Sequence, residues 1–393
     1  MRRVIGSALQ RALAVLLLTL AAMALAAMGL AASVMAQSDV RFDTPSASGD
    51  FGETVAFRTS FESATPPLRV ELLQRLPGQD RDRVNIAAVE SRGGDRYEAA
   101  VFQGGHVVPN TRYDYRFRVL TEDGEVLGPE ASHRVRDTRL EWQVLEGDRV
   151  RVWWHEGGES FARRALDVAE TALADAAELL GVNDIEPVDF IIYSDSRSFR
   201  QAMGPATREN VGGQAHPAIR TLFGLIEPRQ IRSDWVEELV IHELTHLVFD
   251  EAVRNPYQYP PRWLNEGLAV YLAKGYDDGD RAEVESAARG GTIMPLEGLG
   301  GQFPTRALRI GLAYASSVSA VDYFVERYGE EALVELITSF AEGSGLDGAF
   351  ERATGDSFAA FDDAWLASLG TSQPEAFGPQ EPEPGRTPEA WAS

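Results

Sequence analysis

The stretch H-E-L-T-H at residues 242–246 places two histidines four positions apart, with a glutamate directly after the first. On an α-helix, residues at this spacing lie on one face, so His242 and His246 can direct their imidazoles at one ion. Neutral imidazole is a good zinc ligand. Glu243 then lies beside the ion, where a general base takes a proton from zinc-bound water. The stretch therefore predicts a catalytic zinc site.

The surrounding sequence favours a helix. No Gly or Pro occurs from Val236 to Ala252. Asp234, with Glu237 three positions later, is typical of an N-cap and its reciprocal partner. Apolar side chains surround the histidine face, at Leu239, Val240, Leu244, Leu247 and Val248. We expect a buried helix with Asp234 as its N-cap.

A second stretch, W-L-N-E-G-L-A at residues 263–269, supplies a candidate third ligand. Nineteen residues separate its Glu266 from His246, and a proline-containing segment between them ends the first helix. A second helix is predicted from about residue 262 to 274. It turns Glu266 inward as the third zinc ligand, with Asn265 beside it as a supporting residue.

Two histidines at helical spacing also occur by chance on packed or solvated helix faces. The second interpretation is therefore a non-catalytic extracytoplasmic binding or assembly module that keeps a structural or relic zinc site. Glu243 argues against a relic, because the metal does not need this side chain as a ligand. Cleavage of a peptide separates the two interpretations.

Together the motifs resemble those of gluzincins, zinc peptidases with an H-E-x-x-H…E signature, and most closely the peptidase-MA-like metallohydrolases. The resemblance covers roughly residues 142–370. It implies a thermolysin-like catalytic domain with a mixed sheet, Zn²⁺ as cofactor and a peptide or protein as substrate. The chain lacks the G-x-M-E-N exopeptidase motif of the similar aminopeptidase branch, so we expect an endopeptidase.

The same resemblance implies further site residues. Residues near 213–225 correspond to the strand at the cleft edge, where a peptide pairs by β-addition. Tyr314, in a predicted helix over 308–328, is a candidate donor to the oxyanion, with a core tyrosine as the equal alternative. His216 is another candidate, although an ordinary loop histidine is the favoured interpretation.

The two ends of the chain differ from the rest in composition. Residues 1–36 combine Arg2 and Arg3 with a long uncharged apolar run and an A-x-A-like site ending at Ala36. This predicts a cleaved signal peptide, or a single uncleaved membrane anchor, and either places the chain outside the cytoplasm, whether secreted, periplasmic or at the cell surface. Residues 371–393 are rich in Pro, Glu and Gly and predict a disordered tail.

Composition limits the partners. The 393 residues carry a formal net charge of −23, which argues against nucleic acid and anionic lipid surfaces. The chain has no cysteine, so its stability must come from its core and its metal. The length predicts more than one domain, and the oligomeric state stays open.

We predict an α+β protein with two folded domains. Residues 38–138 read as an antiparallel β-sandwich that resembles fibronectin type III or immunoglobulin-like domains, because strand-length alternating pieces are separated by turns. The clearest piece, residues 111–119, places Tyr113, Tyr115, Phe117 and Val119 on one face. Such a module is a spacer or a substrate-docking domain.

Residues 139–370 are the predicted gluzincin domain. Strands are expected at 140–142, 150–154, 188–193 and 221–226, and a helix at 160–180 with Gly181 as its C-cap. The acidic run 277–280 is interpreted as a solvated turn, with a calcium loop as the weaker alternative. The predicted function is an exported zinc endopeptidase whose substrate and cleavage preference stay open.

Overall fold

The computed structural model describes residues 40–77, 79, 81–204, 212–255 and 257–374. The predicted signal peptide or anchor lies outside these residues, as does all of the predicted tail beyond Pro374. Within the described part of the chain, no helix is long and apolar enough to cross a membrane. The chain forms two compact units. Among the described residues, unit 1 comprises 40–105 and 112–134, and unit 2 comprises 106–111 and 135–374.

Unit 1 contains two antiparallel five-stranded sheets. The first, in the order β1-β3-β7-β6 with β2 also paired to β3, is built from β1 (Arg41–Phe42), β2 (Ser46–Ser48), β3 (Val55–Glu62), β6 (Ala88–Gly93) and β7 (Arg96–Gln103). The second, in the order β10-β8-β4-β5 with β9 also paired to β8, is built from β4 (Arg69–Arg75), β5 (Arg83–Ile86), β8 (Arg112–Thr121), β9 (Gly124–Leu127) and β10 (Ala131–Arg134).

Alternation along β8 produces the core of unit 1. Tyr113, Tyr115, Phe117 and Val119 are all buried, as the sequence predicts. Phe57 from the other sheet meets Tyr113 and Tyr115 edge-on, with ring centroids 5.6 and 4.9 Å apart. The two sheets therefore share one aromatic core and form an antiparallel sandwich.

Unit 2 begins with a mixed sheet in the order β11-β12-β13-β15-β14. Its strands are β11 (Gln143–Glu146), β12 (Val150–Trp154), β13 (Val188–Tyr193), β14 (Gly213–His216) and β15 (Thr221–Leu225). The three central strands β12, β13 and β15 are parallel, and the two edge strands β11 and β14 are antiparallel to their neighbours. The mixed sheet and the α+β class are confirmed.

Nine α-helices complete the described part of unit 2. They are α1 (Glu159–Leu180), α2 (Ser196–Met203), α3 (Asp234–Ala252), α4 (Arg262–Lys274), α5 (Asp278–Arg289), α6 (Ala307–Tyr328), α7 (Glu330–Ala341), α8 (Leu346–Thr354) and α9 (Phe358–Ser368). Helix α3 packs between α1 and α4, and α4 packs against α6. The two helices that carry the histidine and glutamate motifs therefore lie within one continuous hydrophobic core, which includes Trp263 and Leu264 of α4.

Three local predictions are wrong. The strand expected at 140–142 begins instead at Gln143, because Trp142 packs edge-on against Tyr193, with ring centroids 5.1 Å apart. The N-cap of α3 is Ser233 rather than Asp234, which is the first helical residue. Glu237 is the predicted capping partner of Asp234. It forms an ion pair with Arg164 of α1 at 2.5 Å instead.

The third correction concerns the acidic run 277–280. It starts helix α5 and is not a free turn, because the Asp277 side chain accepts a hydrogen bond from the backbone N–H of Asp280 at 2.8 Å. Lys274 pairs with both carboxylates, at 2.7 Å from Asp277 and 2.8 Å from Asp280. These carboxylates are therefore matched by a cation of the chain itself.

Candidate metal centre

Helices α3 and α4 bring the two sequence motifs together. The Nε2 atoms of His242 and His246 lie 3.2 Å apart. Oε2 of Glu266 lies 3.5 Å from Nε2 of His242 and 3.4 Å from Nε2 of His246. The three predicted ligand atoms thus form a nearly equilateral triangle.

The size of this triangle fits one zinc ion. Ligands around tetrahedral zinc, with bonds of about 2.0–2.1 Å, are spaced about 3.3–3.4 Å apart. Oε2 of Glu266 is also buried and has no hydrogen-bond partner among the described residues. A buried carboxylate oxygen without a donor is costly unless a cation satisfies it. His242, His246 and Glu266 can therefore hold a metal ion.

The ligands perturb one another's protonation. Burial by itself would raise the pKa of Glu266, but the two imidazoles outweigh it and hold that pKa well below its ordinary value. Burial would likewise lower the pKa of His246, whereas contact with Glu266 raises it to about 9. Metal binding at these groups therefore competes with binding of a proton.

Asn265 orients one of the ligands. Its Oδ1 lies 2.8 Å from Nδ1 of His246, so the imidazole donates from Nδ1 and leaves Nε2 with its lone pair toward the site. The Asn265 amide nitrogen in turn donates to the hydroxyl of Tyr259 at 3.3 Å. This contact agrees with the supporting role expected for Asn265 from the sequence.

Glu243 lies under edge strand β14. Its Oε2 accepts a hydrogen bond from the backbone N–H of Ala215 at 2.7 Å. Gly213 gives the side chain room, because a Cβ at that position would lie 3.1 Å from Cγ of Glu243 and from Cδ1 of Leu239. The strand thus holds the Glu243 carboxylate at the wall of the same cleft that contains the histidines.

The cleft has a volume of about 460 Å³. It is lined by Gly213, Gln214, Ala215, Pro217, His242, Glu243, His246, Tyr259, Arg262, Asn265, Glu266, Ile310 and Tyr314. The Tyr314 ring lies 6.2 Å from that of His242, and burial raises the pKa of Tyr314 to about 12. Its hydroxyl therefore stays protonated at neutral pH and can donate a hydrogen bond inside the cleft.

Sequence reasoning missed Arg262. Its Nε and Nη2 donate to Oε1 of Glu266 at 3.1 and 2.8 Å. The spacing of four residues on one helix was the available signal, because it places the two side chains on the same face. The contact between Glu243 and Ala215 carried no comparable signal, since it depends on where β14 lies.

The other histidines are not in the cleft lining. His216 faces Phe223, with ring centroids 5.3 Å apart, and burial lowers its pKa to about 4, so it is neutral. Nε2 of His106 contacts the carbonyl of Ala202 at 3.0 Å, Nε2 of His133 that of Gly49 at 2.8 Å, and Nε2 of His155 the backbone N–H of Ser194 at 3.2 Å.

Comparison with known families matches the Peptidase MA superfamily over residues 168–371, just over half of the chain. The chain belongs to the Peptidase MA superfamily. The matched span contains α3 and α4 with all three candidate ligands. Membership supports a peptidase of the metallopeptidase type, and therefore a hydrolase that acts on peptides or proteins.

Among solved structures, this Peptidase MA protein is similar to an aminopeptidase N family protein from Idiomarina loihiensis. The two share 10% sequence identity, the TM-score is 0.44, and the match covers 85% of this chain and 76% of the other. Comparison with curated protein sequences gives no match.

Proposed function

We propose that this Peptidase MA protein is an exported zinc-dependent endopeptidase. One observation carries the proposal. Three ligand atoms at tetrahedral spacing share a cleft with a glutamate that is not needed as a ligand. Export rests on the composition of residues 1–36. An apolar leader of this kind is typical of chains that leave the cytoplasm.

His242, His246 and Glu266 would hold the zinc ion. Bound there, zinc supplies Lewis-acid chemistry that polarises the scissile carbonyl and makes the attacking water more acidic. Asn265 keeps His246 in the tautomer whose Nε2 can bind, since it accepts the proton on Nδ1.

Glu243 is the proposed general base. Its carboxylate takes a proton from the attacking water and later passes this proton to the nitrogen of the leaving amine. Ala215 holds Oε2 through its backbone N–H at 2.7 Å, which fixes the direction of the carboxylate at the cleft wall. The second carboxylate oxygen is then the one that meets the water.

Tyr314 is the proposed donor to the carbonyl oxygen as negative charge develops on it. The hydroxyl is suited to this because the pKa of about 12 keeps its proton in place at neutral pH. A donor that is already oriented in a partly buried cleft stabilises the transition state more than bulk water does.

The edge of β14 supports internal cleavage. Leu225 donates its backbone N–H to the carbonyl of Gly212 at 2.7 Å, and Gln214 pairs with Phe223. Hydrogen-bonded pairs alternate in an antiparallel ladder, so the backbone groups of Gly213 and Ala215 point to the open edge. The Ala215 N–H donates to Glu243, which leaves both backbone groups of Gly213 and the carbonyl of Ala215 for a pairing peptide. An extended peptide can pair with that edge over several residues.

The charges in the cleft also favour internal cleavage of a peptide. Among the described lining residues, the carboxylates are Glu243 and Glu266, and both already have assigned roles. None of these residues is left to bind the ammonium group of a substrate's amino terminus. We therefore favour an endopeptidase over an aminopeptidase.

The first test is metal content. Elemental mass spectrometry of the purified protein should find about one zinc ion per chain, and none in His246→Ala. The second test is Glu243→Gln, which should keep zinc but reduce hydrolysis of a peptide library by about 10²–10⁴-fold. Glu238→Gln, on the same helix but outside the cleft lining, is the matched control and should hydrolyse normally.

Three other results would contradict parts of the proposal. Unchanged hydrolysis in Glu243→Gln would remove its assigned role. A zinc-bound parent protein that cuts no peptide would instead be a zinc-stabilised binding module. Absence of zinc even after incubation with the metal would reject the site.

A further inference from the structure

We propose that Arg262 is a positioning residue that makes Glu266 bind the metal through one oxygen only. This inference rests on the proposed zinc site and concerns how that site is shaped. Arg262 lies one helical turn before Glu266 on α4. The carboxylate is therefore approached by the guanidinium from one side and by the two imidazoles from the other.

The contacts divide the two carboxylate oxygens between these partners. Oε1 of Glu266 accepts from Nε of Arg262 at 3.1 Å and from Nη2 at 2.8 Å. Oε2 accepts no hydrogen bond from a described residue and faces the histidines. Only Oε2 is thus available to a cation held by His242 and His246.

Arg262 is itself held in place. Its guanidinium carbon lies 4.8 Å from the centroid of the Phe303 ring, and its backbone N–H donates to the carbonyl of Gly300 at 2.9 Å. The Arg262 side chain is 32% exposed and that of Glu266 only 9%. A stacked, planar guanidinium with two donors on one oxygen keeps that oxygen from rotating toward the metal.

One-oxygen binding matters because a catalytic zinc site keeps an open position. A carboxylate that binds through both oxygens would occupy that position and hinder entry of water and the substrate carbonyl. By engaging Oε1, Arg262 limits the protein ligands to three atoms. Loss of this contact should therefore change both the affinity and the coordination number of the metal.

The experiment compares the full-length parent with Arg262→Met and Arg262→Lys. Zinc affinity is measured by competition with a chromophoric chelator, and coordination number by the visible absorption of the Co²⁺-loaded proteins. In Arg262→Met we expect about 10–100-fold weaker zinc binding and weaker Co²⁺ absorption, as a five-coordinate ion would give. Arg262→Lys should also bind zinc more weakly than the parent, because lysine lacks the two-donor fork.

Arg281→Met is the matched control. Arg281 is also stacked, with its guanidinium carbon 4.2 Å from the Tyr276 ring centroid, and also paired, with Asp322 at 3.6 Å, but it does not line the cleft. Its substitution should leave zinc affinity and the Co²⁺ spectrum unchanged. Circular dichroism of each metal-free variant checks that it is folded.

The outcomes are distinguishable. If the parent binds zinc and Arg262→Met binds it equally well with the same Co²⁺ spectrum, the inference is overturned and the proposed function stands. If Arg262→Met does not fold, parent-like affinity and spectrum in Arg262→Lys overturn the inference in the same way. A parent protein that binds no zinc overturns the proposed function and this inference together.

Discussion

At the scale of single residues, three of the proposed site residues have a partner outside the triangle of candidate ligands. Asn265 orients His246, Arg262 engages Glu266, and Ala215 holds Glu243. Such partners reduce the number of orientations that each side chain can adopt before a metal or substrate arrives. The protein itself therefore orients these three side chains.

His216 leads to a prediction about pH. Burial lowers its pKa to about 4, while the unfolded chain has its ordinary value of about 6.5. As the pH falls from 6.5 to 4, His216 takes up a proton in the unfolded chain before it does so in the folded protein. The neutral, buried His216 therefore costs no stability above pH 6.5, and the free energy of unfolding decreases as the pH falls toward 4. Phenylalanine at this position cannot take up a proton. In His216→Phe the decrease in the free energy of unfolding at low pH should therefore be smaller by roughly 2–3 kcal/mol.

The measurement is urea unfolding of metal-free His216→Phe and parent protein at pH 7.5 and pH 4.5. The variant should gain stability relative to the parent at pH 4.5 only. An equal shift at both pH values would mean that packing against Phe223, and not protonation, is what the substitution changes.

At the scale of secondary-structure elements, the contact between α4 and α6 positions the third ligand. Gly267 follows Glu266 and faces α6 closely, because an added Cβ would lie 2.5 Å from the carbonyl oxygen of Ser317 and 2.9 Å from Cγ2 of Val321. Gly267 has ordinary helical backbone angles, so glycine is not needed for its conformation. It is needed because any side chain would keep the two helices apart. The approach brings Tyr314 of α6 into the cleft with Glu266.

Gly267→Ala should therefore separate α4 from α6. We expect a loss of about 1–3 kcal/mol in the free energy of unfolding, together with weaker zinc binding, because Glu266 moves with its helix. Gly348→Ala is the matched control, since Gly348 also lies in a helix but an added Cβ there meets no atom within 4 Å.

Gly348→Ala should be neutral or stabilising by about 0.5–1 kcal/mol through helix propensity alone. Chemical unfolding and chelator competition measure both variants. Equal stabilities of Gly267→Ala and the parent would show that the helices can separate without cost.

At the scale of the whole molecule, the two units have separate cores and a different content of tryptophan. Of the seven tryptophans, six lie in the described residues of unit 2, and none lies in the described residues of unit 1. The candidate metal centre also lies in unit 2. Tryptophan fluorescence therefore reports the unit in which the metal is expected, without a signal from the sandwich.

Removal of zinc should destabilise unit 2 selectively. A ligand present at about 1,000 times its Kd stabilises the folded state by about 4 kcal/mol, which for a unit of this size corresponds to roughly 5–15 °C in melting temperature. A chelator should lower the melting temperature detected by tryptophan fluorescence by that amount. In calorimetry, the melting temperature of unit 1 should stay unchanged. His246→Ala is the control, because chelator should not shift its melting; a shift there would assign the effect to another cause.

Much of the candidate site was predictable because it depends on local periodicity. The spacing of His242 and His246 puts them on one helical face whatever the surroundings, and the second helix occupies residues 262–274 as predicted. The predictions failed at residues whose side chains make a tertiary contact in place of the expected interaction with near neighbours in sequence. Glu237 pairs with α1 instead of capping α3, and Trp142 packs onto the sheet instead of forming a strand.

The sequence by itself determined the two ligand helices, the identity of the candidate ligands, the alternation of β8 and the α+β class. Only the tertiary structure decided that Oε2 of Glu266 lies 3.4–3.5 Å from both imidazoles, and that Ala215 reaches Glu243 across 28 residues of chain. The physical reason is the range of the interactions. Helical faces follow from backbone geometry within one or two turns, whereas the position of β14 over α3 depends on sheet pairing and packing throughout unit 2.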